Sequence, residues 1–500
     1  MISTSVLLSV ILILWIYFLW SRRQYYIVAW KLPGPIGLPF LGVGLNMTNP
    51  EKFLSYLTTI TNNYSSPCIS WMGSKCFLYA ADPETIETVF NSPNCTNKGD
   101  FYRFMAASIG DGLFTSSSPR WNKHRKLINP AFSRQIINNF LPIFDSAANI
   151  LLEKFQTCGD QKQDIYDLLK KCVLQTACQT TMGKKMEIQN DKSSEAVFKS
   201  YKNIMDVSVQ RMLSPWLYPD VFYKVSSLYT TERNTVKILY DFIEGLLHFK
   251  KPSTESETVL KSELESDNLS RKSKSIFVEQ VRNYVEQGQL TWEDIRDEAN
   301  VIIAATFETT STALYFVTLC LAIHPEYQEK LFEELVSIFP EKQFEITKED
   351  LEQMTYTEMV INEGMRLFSP VPVVIRTASD DFYLKNGVKI PKGTQVGIDI
   401  FNMQRNSKFW GPKAMEYDPD HFSEENMSIR HPFAFVPFTK GLRMCIGNRY
   451  ALLLMKVLIA KIFRNFEIRA DAKIEDLIIK GTISLKLRHY PECTIQERVL

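Results

Sequence analysis

Phe438-Thr439-Lys440-Gly441-Leu442-Arg443-Met444-Cys445-Ile446-Gly447 is the stretch on which the reading of this chain turns. It surrounds one cysteine with what a thiolate metal ligand needs. A coordinating thiolate is moderated by hydrogen-bond donors, and glycine lets backbone N–H groups come close to the sulfur. Gly441 and Gly447 offer that freedom. Arg443, two residues before the cysteine, can set a fixed positive fork against an anionic cofactor edge. Phe438 can pack beside the sulfur and exclude water. A cysteine in an apolar run is, taken alone, more often a small buried hydrophobe than a ligand.

The pattern F-x-x-G-x-R-x-C-x-G resembles the haem-binding loop of the cytochrome P450 haem-thiolate monooxygenases, with every fixed position matched. The resemblance implies that Cys445 is the metal ligand, bound to the iron of a haem b that is otherwise non-covalently held. Phe438 and Arg443 would then touch the cofactor, Arg443 at a propionate. Thiolate electron donation favours cleavage of the O–O bond, which is why sulfur belongs at that position.

Upstream, Trp121 and Arg125 lie four residues apart, so an indole N–H and a guanidinium share one helical face and can reach one anion. Beside the cysteine loop, this W-x-x-x-R resembles the family's propionate-binding helix. In the middle of the chain, Thr291 and Asp294 form a helix start, and no proline intervenes before Pro325. The apolar residues fall on most faces, so the helix is expected to be buried. Within it lies Ala304-Ala305-Thr306-Phe307-Glu308-Thr309-Thr310. Buried hydroxyls often only bond back to the preceding turn, which is the reading for Thr310 and Ser311. An adjacent acid and alcohol can instead pass protons. The segment resembles the family's oxygen-activating pattern, which implies catalytic roles for Thr309 and Glu308. Thr306 stands where the family has glycine, so the groove beside the oxygen is narrowed. Many members of the branch holding the family-four fatty-acid hydroxylases carry a haem-esterifying Glu where this chain has Ala305, which cannot form that bond.

Glu363 and Arg366 are neighbours on a helix surface and resemble the structural E-x-x-R pair. Its usual third member, an arginine, is His421 in Tyr417-Asp418-Pro419-Asp420-His421-Phe422, which offers fewer donors. Pro370 to Arg376 reads as a turn into a strand. By resemblance, Arg376 bonds a propionate and Val371 and Val373 face substrate. The same resemblance puts further substrate contacts at Phe101 to Leu113, Met205 to Tyr229, Val301 to Ala305, and Ile483. Trp121 to Phe132, Pro370 to Arg376 and Arg430 to Phe438 resemble the branch holding the family-four fatty-acid hydroxylases and many insect enzymes.

Nineteen uncharged residues, Ile2 to Trp20, precede Arg22 and Arg23. A helix of that length spans roughly 30 Å, about a bilayer core. The basic residues follow the run, which places the body of the protein in the cytosol. A cleaved signal peptide is the competing reading, but no small-x-small cleavage site follows. Residues 33–42 are rich in proline and glycine and read as a stiff, non-helical elbow. Nine scattered cysteines without paired spacing indicate a reducing compartment. With 57 basic against 56 acidic residues, nothing favours nucleic acid.

The expected architecture is mainly α with small β-sheets, the cytochrome P450 fold, a triangular helical prism around a buried haem. Residues 1–21 would be the single transmembrane anchor, 22–42 a basic stretch and proline-rich hinge, and 43–500 the haem-thiolate catalytic domain. The resemblance implies an NADPH- and O2-dependent monooxygenase of an apolar small molecule (fatty acid, terpenoid or hormone, or xenobiotic). Its setting would be the endoplasmic reticulum membrane, facing the cytosol. Electrons would come through NADPH-cytochrome P450 reductase, with cytochrome b5 as a second donor. Two other readings stay open: a haem-thiolate isomerase or dehydratase acting on peroxides, and a haem-binding protein with little turnover.

Overall fold

A computed structural model describes residues 4–38, 41–159, 161–248 and 277–498. Residues 1–3 of the expected anchor, and Pro39 and Phe40 of the expected hinge, lie outside the described residues. The chain is mainly helical with small sheets, as expected.

The long central helix, Trp292–Ile323, begins where its capping signal lies. Asp294 N–H donates to Thr291 Oγ1 at 3.1 Å and Thr291 N–H donates to Asp294 Oδ2 at 2.8 Å. It stops before Pro325, which cannot donate to the next turn. From Val301 to Ala322 every residue is buried except Ala305, Thr306 and Thr309. Those three share one helical face at i, i+1 and i+4. The helix runs through the core, packing on helix Tyr166–Met182 and on Thr355–Leu367.

The main sheet has five strands in the order Cys68–Met72, Lys75–Ala80, Gln395–Asp399, Val373–Thr377 and Asn97–Lys98. Lys75–Ala80 and Gln395–Asp399 run parallel, and the other neighbours are antiparallel. At the last edge, Lys98 pairs with Arg376, which brings together two cations remote in sequence.

Thr4–Ser21 is a helix with no buried residue and a mean hydropathy of 2.1. The long central helix also has the length and apolarity to cross a membrane, but its burial makes it a core element. After the first helix, Arg23–Lys31 forms a second helix, docked on the sheet. Tyr25 OH donates to Lys392 O at 2.7 Å, Tyr25 meets Trp71 edge-on, and Val28 is buried. Burial of that apolar side stabilises a helix that a list of basic and aromatic residues did not announce. The non-helical elbow starts at Leu32.

Candidate active site

The 438–447 loop is closed by its own backbone. Cys445 N–H donates to Phe438 O at 3.0 Å, and Met444 N–H to Gly441 O at 3.1 Å. Gly441 has φ +74°, and a Cβ there would lie 2.0 Å from the Phe90 carbonyl oxygen, so both conformation and space demand glycine. Phe438 is half-buried against the largest core cluster. Helix Asn448–Asn465 starts directly after Gly447, so its positive end begins three residues after the cysteine. Of nine cysteines, Cys445 alone is exposed. Burial pushes the thiol pKa up, opposed by the Gly447 N–H bond to the sulfur and by the charges of Arg125 and Lys98.

Helix Arg120–Ile128 buries Trp121 and carries Arg125 one turn on. Arg376, on strand Val373–Thr377, is buried. The sheet edge adds Lys98, which the sequence reading missed. Nothing local to Asn97-Lys98 marks it; its partner on the neighbouring strand does. Burial lowers the pKa of Lys98 well below its ordinary value, with Arg376 and Arg443 acting in the same direction. Arg443 is brought down to about 9, first by burial and then by Arg376. The charged groups felt by Lys98, Arg125, Arg376 and Arg443 are one another, Cys445, Cys95 and the Tyr102 phenol, and no described carboxylate is among them.

One thiol and four convergent cations without a counter-ion are the complement of an iron porphyrin with two carboxylates. The donor set therefore fits a haem, whose iron Cys445 could bind and whose propionates Lys98, Arg125 and Arg376 could hold. Arg443 differs from the expectation. Its Nε and two Nη atoms donate to the carbonyls of Thr96 (2.8 Å), Leu113 (3.3 Å) and Ser116 (2.5 Å), and its Cζ lies 4.1 Å from the Trp121 ring centroid. A buried guanidinium must satisfy its donors, and these carbonyls are in reach. The arginine thus stitches the cysteine loop to segment 96–116.

Glu308 and Thr309 do not face one place. Thr309 shares the accessible face with Ala305 and Thr306, and its Oγ1 donates to Ala305 O at 2.8 Å. Back-bonding was expected of Thr310 and Ser311; Ser311 does it, to Phe307 O at 2.5 Å. Glu308 lies about 100° round the helix, as successive residues must. It is buried against Lys170 (3.1 Å), Ser484 (2.5 Å) and, more distantly, Lys486 (3.8 Å). Burial alone would raise its pKa, but those partners bring it down to about 2.

Glu363 and Arg366 are fully buried and bidentate, at 2.6 and 2.7 Å. The remaining Arg366 donors reach the carbonyls of Gln404, Ala414 and Glu416, so the pair orders the irregular segment before the cysteine loop. His421 Nδ1 is 3.0 Å from Glu363 Oε1. Arg430, the first residue of the stretch that resembles the family-four branch, donates to Phe409 O and to His421 O and stacks on Trp410.

An apolar cavity adjoins the cation cluster. Tyr102 and Phe114 line it, and the Lys98 ammonium sits 4.2 and 4.5 Å from their ring centroids. Phe101, Val371, Val373 and Ile483 line it as expected, and so do Met212 and Tyr218 from the 205–229 stretch. Val301–Ala305 is not part of its lining, whereas Met47, Phe53 and Met72 are. Those three come from the amino-terminal lobe, whose proximity no local pattern announces.

An accessible cysteine in a loop at a helix start, a basic cradle beside it and a long core helix fit a haem-thiolate protein. The chain belongs to the cytochrome P450 family: the family model, Cytochrome P450, matches residues 32–490. It is 56% identical over the full length of both chains to Probable cytochrome P450 313b1 of Drosophila melanogaster. Probable cytochrome P450 313a4 of the same fly is 35% identical, also over both full lengths. The family-four likeness is matched by Cytochrome P450 4c3 of that species, 30% identical over 97% of this chain and 92% of the other. Family membership makes the chain a haem-thiolate monooxygenase.

Proposed function

We propose that this chain is an NADPH- and O2-dependent monooxygenase of an apolar small molecule (a fatty acid, a terpenoid or hormone, or a xenobiotic), with its haem held through Cys445. The supporting observation is the one exposed cysteine among nine, set among Lys98, Arg125, Arg376 and Arg443. When bound, the haem supplies the oxygen chemistry, in which one atom of O2 enters the substrate and the other leaves as water. Cys445 holds the iron, and the Gly447 N–H moderates the charge on its sulfur. Lys98, Arg125 and Arg376 neutralise the propionates, with Trp121 beside them. Thr309 holds a proton at Oγ1 on the accessible face of the long helix. Glu308 acts from the other face, keeping Lys170 and Ser484 in place behind that wall. Phe101, Tyr102, Phe114 and Val373 bind and orient substrate and exclude water.

Residues 1–21 serve as an anchor, 22–42 as the connection and 43–500 as the catalytic domain. Exposed, uncharged Thr4–Ser21, followed by Arg22 and Arg23, favours the cytosolic face of the endoplasmic reticulum membrane. Electrons come from NADPH through a flavoprotein reductase, with cytochrome b5 as a second donor. The deciding sample is reduced, carbon-monoxide-treated protein. Wild type should show the Soret band of a thiolate-ligated haem and Cys445→Ser should lose it; a wild-type band typical of imidazole ligation overturns the reading. Product formation that needs NADPH and reductase excludes a peroxide isomerase.

A further inference from the structure

Like charges repel, and no described carboxylate is among the protein groups felt by these four cations, so contacts from outside the cluster help to hold their segments together. The start of the long helix does this with polar side chains aimed at segment 109–124. Asp297 Oδ2 accepts the Asp111 N–H at 3.2 Å, and Asn300 Nδ2 donates to Ile109 O at 3.0 Å. Asp294 pairs with Arg120 at 2.7 Å. Glu298, 1% exposed, accepts the Leu113 N–H through Oε2 at 2.9 Å, and its Oε1 lies 2.8 Å from Nδ1 of His124, itself 2% exposed. A Cβ on Gly112 would lie 2.8 Å from that Oε2, so a larger residue there would push against the carboxylate.

Both ends of this contact lead to the cofactor site. His124 is on the helix that carries Trp121 and Arg125, adjacent to the arginine. Leu113 gives its N–H to Glu298 and its carbonyl to Arg443, so one residue ties the long helix to the cysteine loop. Burying a carboxylate costs several kcal/mol unless it is paired, and here the pairing is spent on these two segments.

We propose that His124 and Glu298 are positioning residues for the cofactor site. They set the rotation of helix Arg120–Ile128 and, through Leu113, the seat of Arg443, so that the basic side chains converge beside Cys445. This rests on the haem-thiolate reading. Neither residue touches the reacting atoms.

The test uses full-length, haem-loaded protein in detergent, with haem transfer to excess apomyoglobin as the readout. Glu298→Leu is expected to lose haem about tenfold faster, and Glu298→Gln, whose one oxygen can still accept the Leu113 N–H while its NH2 donates to a His124 Nδ1 that carries no proton, to stay within about threefold of wild type. Gln328→Met is the control: it removes buried bonds to Leu321 and Ile468 far from this contact, and should lower the melting temperature without speeding haem loss. If Glu298→Leu fails to load haem, His124→Leu carries the test with the same expected tenfold effect. The double variant, where it loads, should lose haem no faster than the quicker single, because the two side chains act as a unit. Haem loss from Glu298→Leu or His124→Leu no faster than from Gln328→Met overturns the proposal, as do single effects that multiply in the double variant. A wild-type sample without the thiolate Soret band would sink the haem-thiolate reading itself; a normal band with unchanged haem loss sinks only the positioning role.

Discussion

Lys170→Met probes the charge held behind the accessible face of the long helix. The Lys170 ammonium is 3.1 Å from Glu308, and both side chains are at most 1% exposed. The carboxyl is lowered from 4.5 to about 2 although burial opposes this. A depressed carboxyl binds its proton less readily when folded, so its contribution is fully present above the unfolded value and is lost as pH falls toward about 2. At about 1.36 kcal/mol per pH unit, the lowering corresponds to about 3 kcal/mol. Ser484 and Lys486 remain in the variant. The expected cost at pH 7 is therefore about 2–3 kcal/mol, just under the range of about 3–5 for breaking a buried pair. Equilibrium urea unfolding followed by tryptophan fluorescence measures it. Toward pH 4 the gap to wild type should narrow, because the unpaired Glu308 takes up a proton. Lys170→Met combined with Glu308→Gln should recover part of the loss. A cost below about 1 kcal/mol at pH 7, or a gap of equal size at pH 4, would refute the account.

Three further substitutions test other parts of the site. Thr306→Gly opens the accessible face of the long helix at a helix cost of about 1 kcal/mol, and product formed per NADPH consumed should rise; an unchanged or lower yield counts against a crowding role for Thr306. His421→Arg adds donors beside Glu363, 3.0 Å away, so haem loss on heating should slow by about threefold; equal or faster loss rejects a weakened lock. Gly441→Ala forces a Cβ onto the Phe90 carbonyl at φ +74°. It should cost at least about 2 kcal/mol and reduce haem content, and a variant with wild-type haem content and melting temperature refutes that constraint.

What was readable from sequence follows physical range. The cysteine loop, the capped start of the long helix, the Glu363–Arg366 pair and the strand after Pro372 are each built within a few residues, so spacing and residue type describe them. The second helix, Arg23–Lys31, escaped because its stability comes from docking on the sheet through Tyr25 and Val28. Lys98 escaped because its meaning lies in pairing with Arg376.

By itself, the sequence determined the class of this protein: which cysteine is equipped to hold iron, which helix crosses the core, and which motifs accompany them in order. Tertiary structure alone decided where the charges go. It turned Glu308 away from Thr309 toward Lys170, spent Arg443 on three backbone carbonyls, and brought Lys98 beside Arg376. Local pattern specifies which groups a side chain can bond. Burial and the company of distant segments specify which of those bonds it makes, because a buried charge must be satisfied by whatever the fold places within reach.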